Sequence, residues 1–266
     1  MFLGTGGGRF AVNKQLRSSG GIILRVNGIQ FHIDPGPGAL VKAQQYGINL
    51  RANNVLLCTH AHLDHCNDVN AVIDAMTHGG IDKSGILLAS KSVIYGHDGE
   101  RPYLTKSHRS YIDKYMALEV GNDVQFGKSI ELKVLKAQHR DTTAVGFKFF
   151  TPKFVLSYTG DTGFFGDLID ELRNSDILIL NTLKPFGHKS DDHLSSDDAV
   201  KILKEVNPRI AIIQHFGQKM LEMNPIYQAR EIQKQSGVQV IAASDGLAID
   251  LLSYSFSMKH KTLNLY

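Results

Sequence analysis

The sequence predicts an α/β fold. Short apolar runs of strand length alternate with longer stretches of helical spacing. Chemically active residues cluster directly after several of those runs, where loops should begin. Hydrophobic residues make up 42% of the chain, enough for a large core, and no apolar stretch approaches the ~20 residues of a membrane span.

The elements follow in order. Runs 22–26 and 29–33 flank Asn27-Gly28, a dipeptide that favours a two-residue hairpin turn. Val55-Leu56-Leu57 reads as a buried strand, and 67–77 as a helix ended by Gly79-Gly80. Runs 130–135, 144–150 and 154–158 read as further strands, with a turn at Pro152-Lys153. A helix is expected at 168–173 and a strand at 176–180. Ala199, Val200, Leu203 and Val206 share a helix face over 197–206, for which Ser195 or Ser196 is the candidate cap. A helix at 225–236 and a strand at 238–242 complete the pattern. Gly4–Gly8 reads as a turn near the mouth of a site; it lacks the Lys-Ser/Thr of a phosphate loop. Segment 90–118 is the least regular, with Arg101, Lys106, Arg109 and Lys114 interleaved with Tyr103, Tyr111 and Tyr115. It is read as a substrate cap or an oligomer contact, and its composition also suits a nucleic-acid strand.

The most informative stretch is Thr59-His60-Ala61-His62-Leu63-Asp64-His65-Cys66-Asn67. Three histidines and an aspartate fall within six positions, directly after an apolar run. Imidazole suits zinc, iron or nickel, and carboxylate adds a harder oxygen donor. Four such groups packed this tightly do not fit a closed shell around one small ion, so the spacing points to two adjacent metals. Any one of these residues alone would read as an ordinary surface or core residue.

The pattern H-x-H-x-D-H resembles the first metal motif of the metallo-β-lactamase superfamily. His139, Asp161 and His215 follow in the family's order, each just beyond a strand-like run. The resemblance implies a four-layer αββα sandwich over residues 1–266 as a single domain. It also implies His60, His62 and His139 on a first metal, Asp64, His65 and His215 on a second, and Asp161 bridging both. Two divalent ions are expected, Zn2+ first, with Mn2+ or Fe2+ as alternatives. Asp34, before Pro35-Gly36, would orient a ligand histidine through its other ring nitrogen.

The segment 191–199 resembles the late histidine motif of the tRNase Z and phosphodiesterase branch. That resemblance casts His193, beside Asp192 and Asp197, as the proton donor to the leaving alcohol. His188 is the competing candidate. His193 and Asp64 are the implied catalytic residues. Where that branch carries a second histidine motif, this chain reads Asn181-Thr182-Leu183. It also lacks a clear long Gly/Pro-rich arm.

Two metals held close together lower the pKa of a shared water, so hydroxide is available near neutral pH. The function expected is a dinuclear-metal hydrolase, a phosphodiesterase acting on RNA or a nucleotide-type substrate. The alternative is a carboxylic ester, lactone or thioester hydrolase on the same scaffold. No Gly-x-Ser-x-Gly elbow supports a serine hydrolase, and no flavin-binding domain supports a di-iron redox protein. The net charge of +3 is compatible with a phosphate-bearing substrate. Cys58 and Cys66 are expected as buried free thiols, which favours a reducing compartment. With no secretory signal at the start, a cytoplasmic location is expected, together with a homo-oligomer, a dimer.

Overall fold

The computed structural model describes residues 1–259. The chain begins with helix α1 (Gly8–Asn13), strands β1 (Ile22–Val26) and β2 (Ile29–Ile33), helix α2 (Ala39–Gln45) and strand β3 (Asn53–Cys58). Helices α3 (Leu63–Cys66) and α4 (Val69–Thr77) precede β4 (Ile86–Ser90), α5 (Lys91–Tyr95), α6 (Lys106–Tyr111) and β5 (Lys114–Leu118). Strands β6 (Asp123–Phe126), β7 (Ile130–Lys136), β8 (Val145–Phe150) and β9 (Val155–Tyr158) lead to α7 (Leu168–Leu172) and β10 (Ile177–Lys184). The rest is β11 (Leu194–Ser195), α8 (Ser196–Val206), β12 (Ile210–Gln214), α9 (Gln218–Glu222), α10 (Pro225–Ser236), β13 (Val240–Ala242), β14 (Leu247–Ile249) and β15 (Phe256–Met258). No helix among the described residues is long and apolar enough to cross a membrane.

These elements fall into two compact units. The first comprises Met1–Thr5, Arg17–Ala117 and the stretch from Ser244. Its five-stranded sheet is ordered β1-β2-β3-β4-β5. Asn27 and Gly28 both take positive φ (48° and 81°), as a type I′ hairpin turn requires, and β1 pairs antiparallel with β2. Strands β2, β3 and β4 then run parallel, so Asp34 and Thr59 both emerge at carboxyl ends, with Ile33 paired to Leu57. Leu56, Cys58, Val72, Ile73, Met76 and Leu87 form the heart of its core.

The second unit comprises Gly6–Leu16 and Leu118–Ala243. Its sheet runs β13-β12-β10-β9-β8-β7-β6, and β11 pairs with β10. Strands β6 to β9 are antiparallel neighbours, whereas β9, β10, β12 and β13 are parallel. The parallel set is buried and rich in Ile and Leu, as strands covered on both faces must be. Helix α8 opens on a reciprocal cap: Ser195 Oγ accepts from Asp198 N, and Asp198 Oδ2 accepts from Ser195 N. Ser195 is therefore the cap, of the two candidates in the sequence.

Three expectations need correction. The helix expected over 67–77 begins earlier and in two pieces, because His62 already serves as an extended N-cap to the single turn of α3. Asp64 and His65 thus sit on a helical turn. The strand expected at 176–180 runs on to Lys184, since Asn181 and Thr182 are polar yet buried. The irregularity expected over 90–118 is confined mainly to 96–105; the rest carries α5, α6 and β5. No residue of α6 is buried, so it offers no apolar face for a sequence pattern to reveal. Both cysteines are buried, Cys66 Sγ donates to the His62 carbonyl at 3.2 Å, and burial pushes the Cys58 thiol well up.

Candidate metal centre

In the first unit, the site residues stand at the ends of parallel strands, where an α/β sheet presents ligands. Asp34 follows β2 in a left-handed conformation (φ 53°), which aspartate tolerates better than most residues. That turn aims its carboxylate at the neighbouring strand end. Oδ1 accepts from Thr59 N at 2.7 Å, and Oδ2 lies 2.9 Å from His65 Nδ1. The contact directs His65 Nε2 the other way, toward Asp64 Oδ2 at 3.8 Å. Thr59 Oγ1 similarly holds His60 Nδ1 at 3.0 Å, and His60 Nε2 faces His62 Nδ1 at 2.9 Å. The rings of His60 and His65 pack at 4.2 Å between centroids. Gly36 makes room: a Cβ there would meet the Asp64 carbonyl oxygen at 2.0 Å. Asp34 therefore orients a motif histidine through its other ring nitrogen, as expected.

In the second unit, Asp161 follows β9 and is 2% exposed. Its two oxygens face different imidazoles: Oδ1 lies 3.3 Å from His215 Nε2, and Oδ2 lies 3.3 Å from His193 Nε2. His193 Nδ1 lies 3.0 Å from Asp192 Oδ1, which also accepts from Ser190 Oγ at 2.7 Å. Arg140 Nε approaches the other Asp192 oxygen at 2.7 Å. His139 Nδ1 sits 2.9 Å from the Asp192 carbonyl. Burial opposes charge on His193, yet Asp161 and then Asp192 outweigh it and raise its pKa above the ordinary value. Burial likewise opposes charge on Asp192. Hydrogen bonds from Ser190 and His193, with the Arg140 charge, nevertheless hold its carboxyl well below the usual range.

Of the two carboxylates expected beside His193, Asp192 is the one in contact; Asp197 accepts from Gly187 N instead. His188 is exposed and its ring bonds the Phe186 carbonyl in its own loop.

Sequence reasoning missed three supporting residues. Asn181, 1% exposed, donates to Asp161 Oδ1 at 2.8 Å and accepts from Gln214 Nε2 at 2.7 Å. The signal was present: Asn181 and Gln214 are polar residues at the ends of apolar strands, and they are register partners. Gly7 is the third. It sits against the His215 ring, where a Cβ would stand 2.2 Å from a ring carbon. Nothing in the sequence marks Gly7 apart from the other glycines of its turn.

In the first unit imidazole nitrogens face one another, and in the second a buried carboxylate presents each oxygen to a different imidazole; each arrangement offers donors that fit a divalent metal ion. His139, Asp192 and His193 also bring ligand-type atoms within 4.8 Å of one another. Fold and donors together define a metal-dependent hydrolase.

Residues 30–216 match the Beta-lactamase superfamily domain, and the chain belongs to that superfamily. It is 34% identical over 256 residues to an uncharacterized protein of Methanocaldococcus jannaschii, covering 95% of each chain. It is 22% identical to Ribonuclease Z of Borrelia garinii subsp. bavariensis, covering 97% of this chain and 98% of the relative. Among solved structures, the metallo-beta-lactamase fold protein YhfI from Bacillus subtilis superposes with a TM-score of 0.76, at 19% identity, over 91% and 94% of the two chains. A diphosphatase of the PhnP family gives 0.68, at 19% identity, over 98% of each. These likenesses bear out the fold class expected from the sequence.

Proposed function

We propose that this protein is a dinuclear-metal phosphodiesterase acting on RNA or a nucleotide-type phosphodiester. The observation that carries the reading is His193, held between Asp192 at Nδ1 and Asp161 at Nε2. A phosphodiester releases a poor leaving group, an alkoxide, and gains most from a positioned proton donor. The likeness to Ribonuclease Z over nearly the whole chain supports the same bond type.

The ligand assignment follows the superfamily order: His60, His62 and His139 for one ion, Asp64, His65 and His215 for the other, and Asp161 for both. Bound there, two divalent ions, Zn2+ first, supply an activated water near neutral pH and neutralise charge on the substrate oxygens. The chain's own residues do the rest. Asp34 fixes the ring of His65, and Thr59 that of His60. Asn181 keeps the Asp161 carboxylate in place. His193 Nε2 gives its proton to the departing oxygen while Asp192 steadies Nδ1. The reading includes one functional domain, a cytoplasmic dimer, and 90–118 as a substrate cap or oligomer contact. Arg109 stiffens that segment: its guanidinium lies over both Tyr95 and Tyr115 and donates to the Ile94 carbonyl.

The test is a pair of substrates, one phosphodiester and one carboxylic ester, each with good and poor leaving groups. Hydrolysis of the phosphodiester is expected, with His193→Ala slowing the poor-leaving-group substrate by about 10²–10⁴-fold and the good one far less. Preference for the carboxylic ester, or equal loss on both leaving groups, would refute the reading.

A further inference from the structure

Three loops of the second unit meet beside His193. Gln138 N donates to Thr162 Oγ1 at 2.9 Å, and Gly163 N donates to the Gln138 carbonyl at 2.8 Å, so the loop after β7 is bound to the loop after β9. The loop before β11 closes on both. Gln138 Nε2 donates to the Asp191 carbonyl at 3.2 Å, and a Cβ on Gly163 would stand 2.0 Å from that same oxygen. The Asp192 carbonyl is held in turn by His139 Nδ1 at 2.9 Å. These contacts fix where the main chain of Asp192 lies. They do not fix where its carboxylate points.

Three side chains set the carboxylate. Oδ1 accepts from Ser190 Oγ at 2.7 Å and lies 3.0 Å from His193 Nδ1. Oδ2 lies 2.7 Å from Arg140 Nε. The terminal torsion of an aspartate is broad and has little preference of its own, so a carboxylate held at one oxygen can still swing. Arg140 takes the second oxygen and removes that freedom. Its guanidinium is planar, so it supplies a direction as well as a charge. The Arg140 side chain is 74% exposed and that of Asp192 19%. An ion pair so exposed on one side adds little to the stability of a fold. What it alters is the aim of Asp192, and with it the aim of His193, whose Nε2 lies 3.3 Å from Asp161 Oδ2. An imidazole that transfers a proton depends on a third group to orient it, and here that group is itself held by a fourth.

We propose that Arg140 is a positioning residue, acting through Asp192 to keep His193 aimed at the departing oxygen. The proposal rests on the reading of His193 as proton donor and adds a residue to it. The test is a double-mutant cycle of Arg140→Ala and His193→Ala in the metal-loaded full chain, on esters with good and poor leaving groups. On the poor leaving group, Arg140→Ala is expected to lower kcat about 10-fold or more, a share of the roughly 10²–10⁴-fold that a positioned acid contributes. KM should change little, and the good leaving group should be far less affected. In the His193→Ala background the same substitution should cost nothing further, because residues that act as a unit are not additive. Zinc affinity, read by competition with a chromogenic chelator, should match the wild type, since the main-chain contact to His139 is kept. Equal loss on both leaving groups, an undiminished loss without His193, or weakened zinc binding would overturn the proposal. So would a raised KM that persists in the His193→Ala background, the mark of a guanidinium that grips the substrate. If His193→Ala is itself indifferent to the leaving group, the reading of His193 fails. If His193→Ala is sensitive and Arg140→Ala is not, the role of Arg140 alone fails. A wild-type preference for carboxylic esters with the coupling intact would sink the phosphodiesterase reading and leave the role of Arg140 standing.

Discussion

Asn181→Leu should separate the protein's stability from its grip on metal. The substitution keeps the number and branching of the side-chain heavy atoms but removes both polar ones, and the bulkier leucine adds an overpacking cost to the polar loss. The wild-type amide donates to Asp161 Oδ1 at 2.8 Å and accepts from Gln214 Nε2 at 2.7 Å, in a position 1% exposed. A hydrogen bond to an ionised carboxylate contributes about 1.5–3 kcal/mol, and an orphaned buried donor such as Gln214 Nε2 costs about 1–3 kcal/mol. Together these predict a loss of about 2.5–6 kcal/mol, or roughly 10 °C in the melting temperature of the metal-free protein. Metal affinity should fall as well, by about 10–100-fold, the usual effect of removing a residue that orients a ligand. Thermal unfolding checks the first figure. Competition against a chromogenic chelator, below the variant's unfolding transition, checks the second. A destabilised variant with unaltered chelator competition would refute the idea that Asn181 serves the site through Asp161.

Two further outcomes follow from groups packed in or beside the site. His32 is fully buried, and burial, only partly opposed by the Gly20 carbonyl and by Asp34 and Asp68, lowers its pKa to about 4 from 6.5. The unfolded chain therefore takes up the proton first as pH falls, so stability is full above about 6.5 and is lost between 6.5 and about 4. The loss worked from that window is about 3 kcal/mol, and His32→Asn should remove that part of the acid sensitivity in denaturant titrations at pH 7 and pH 4.5. Gly7→Ala places a methyl group 2.2 Å from the His215 ring, so the imidazole must shift. The variant should lose about 1–3 kcal/mol by overpacking and bind its metal more weakly in the same chelator assay, whereas Gly28→Ala, with open space around it, should leave metal affinity intact.

The residues proposed as ligands stand out because their chemistry is local in sequence. His60, His62, Asp64 and His65 fall within one strand end and one helical turn, and the apolar run before them says where that end is. His139, Asp161 and His215 were legible for a related reason, since each follows a strand and sits in the family's order. Asp34 announced itself through Pro35-Gly36. The residues that hold these groups were not legible in the same way. Asn181 looked like a departure from a histidine motif, and only the register of β10 with β12 shows it paired to Gln214 beneath Asp161. Gly7 supports His215 across about two hundred residues of chain, a contact no periodicity encodes. The same limit applies to the fold. Most strands that pack in the sheet centres were found from their apolar runs, but β4, equally apolar, was not. The exposed helix α6 and the polar continuation of β10 were missed, because burial and hydrophobicity part company there.

The central claim is that seven side chains hold two metal ions, with Asp161 shared between them. The most direct measurement is the metal content of the purified protein and of Asp161→Ala, by elemental analysis after equilibration with Zn2+ and gel filtration. The account predicts two ions per chain in the wild type and a marked loss from both positions in the variant, with hydrolysis abolished. One ion per chain in the wild type, or two ions and full activity in Asp161→Ala, would contradict it.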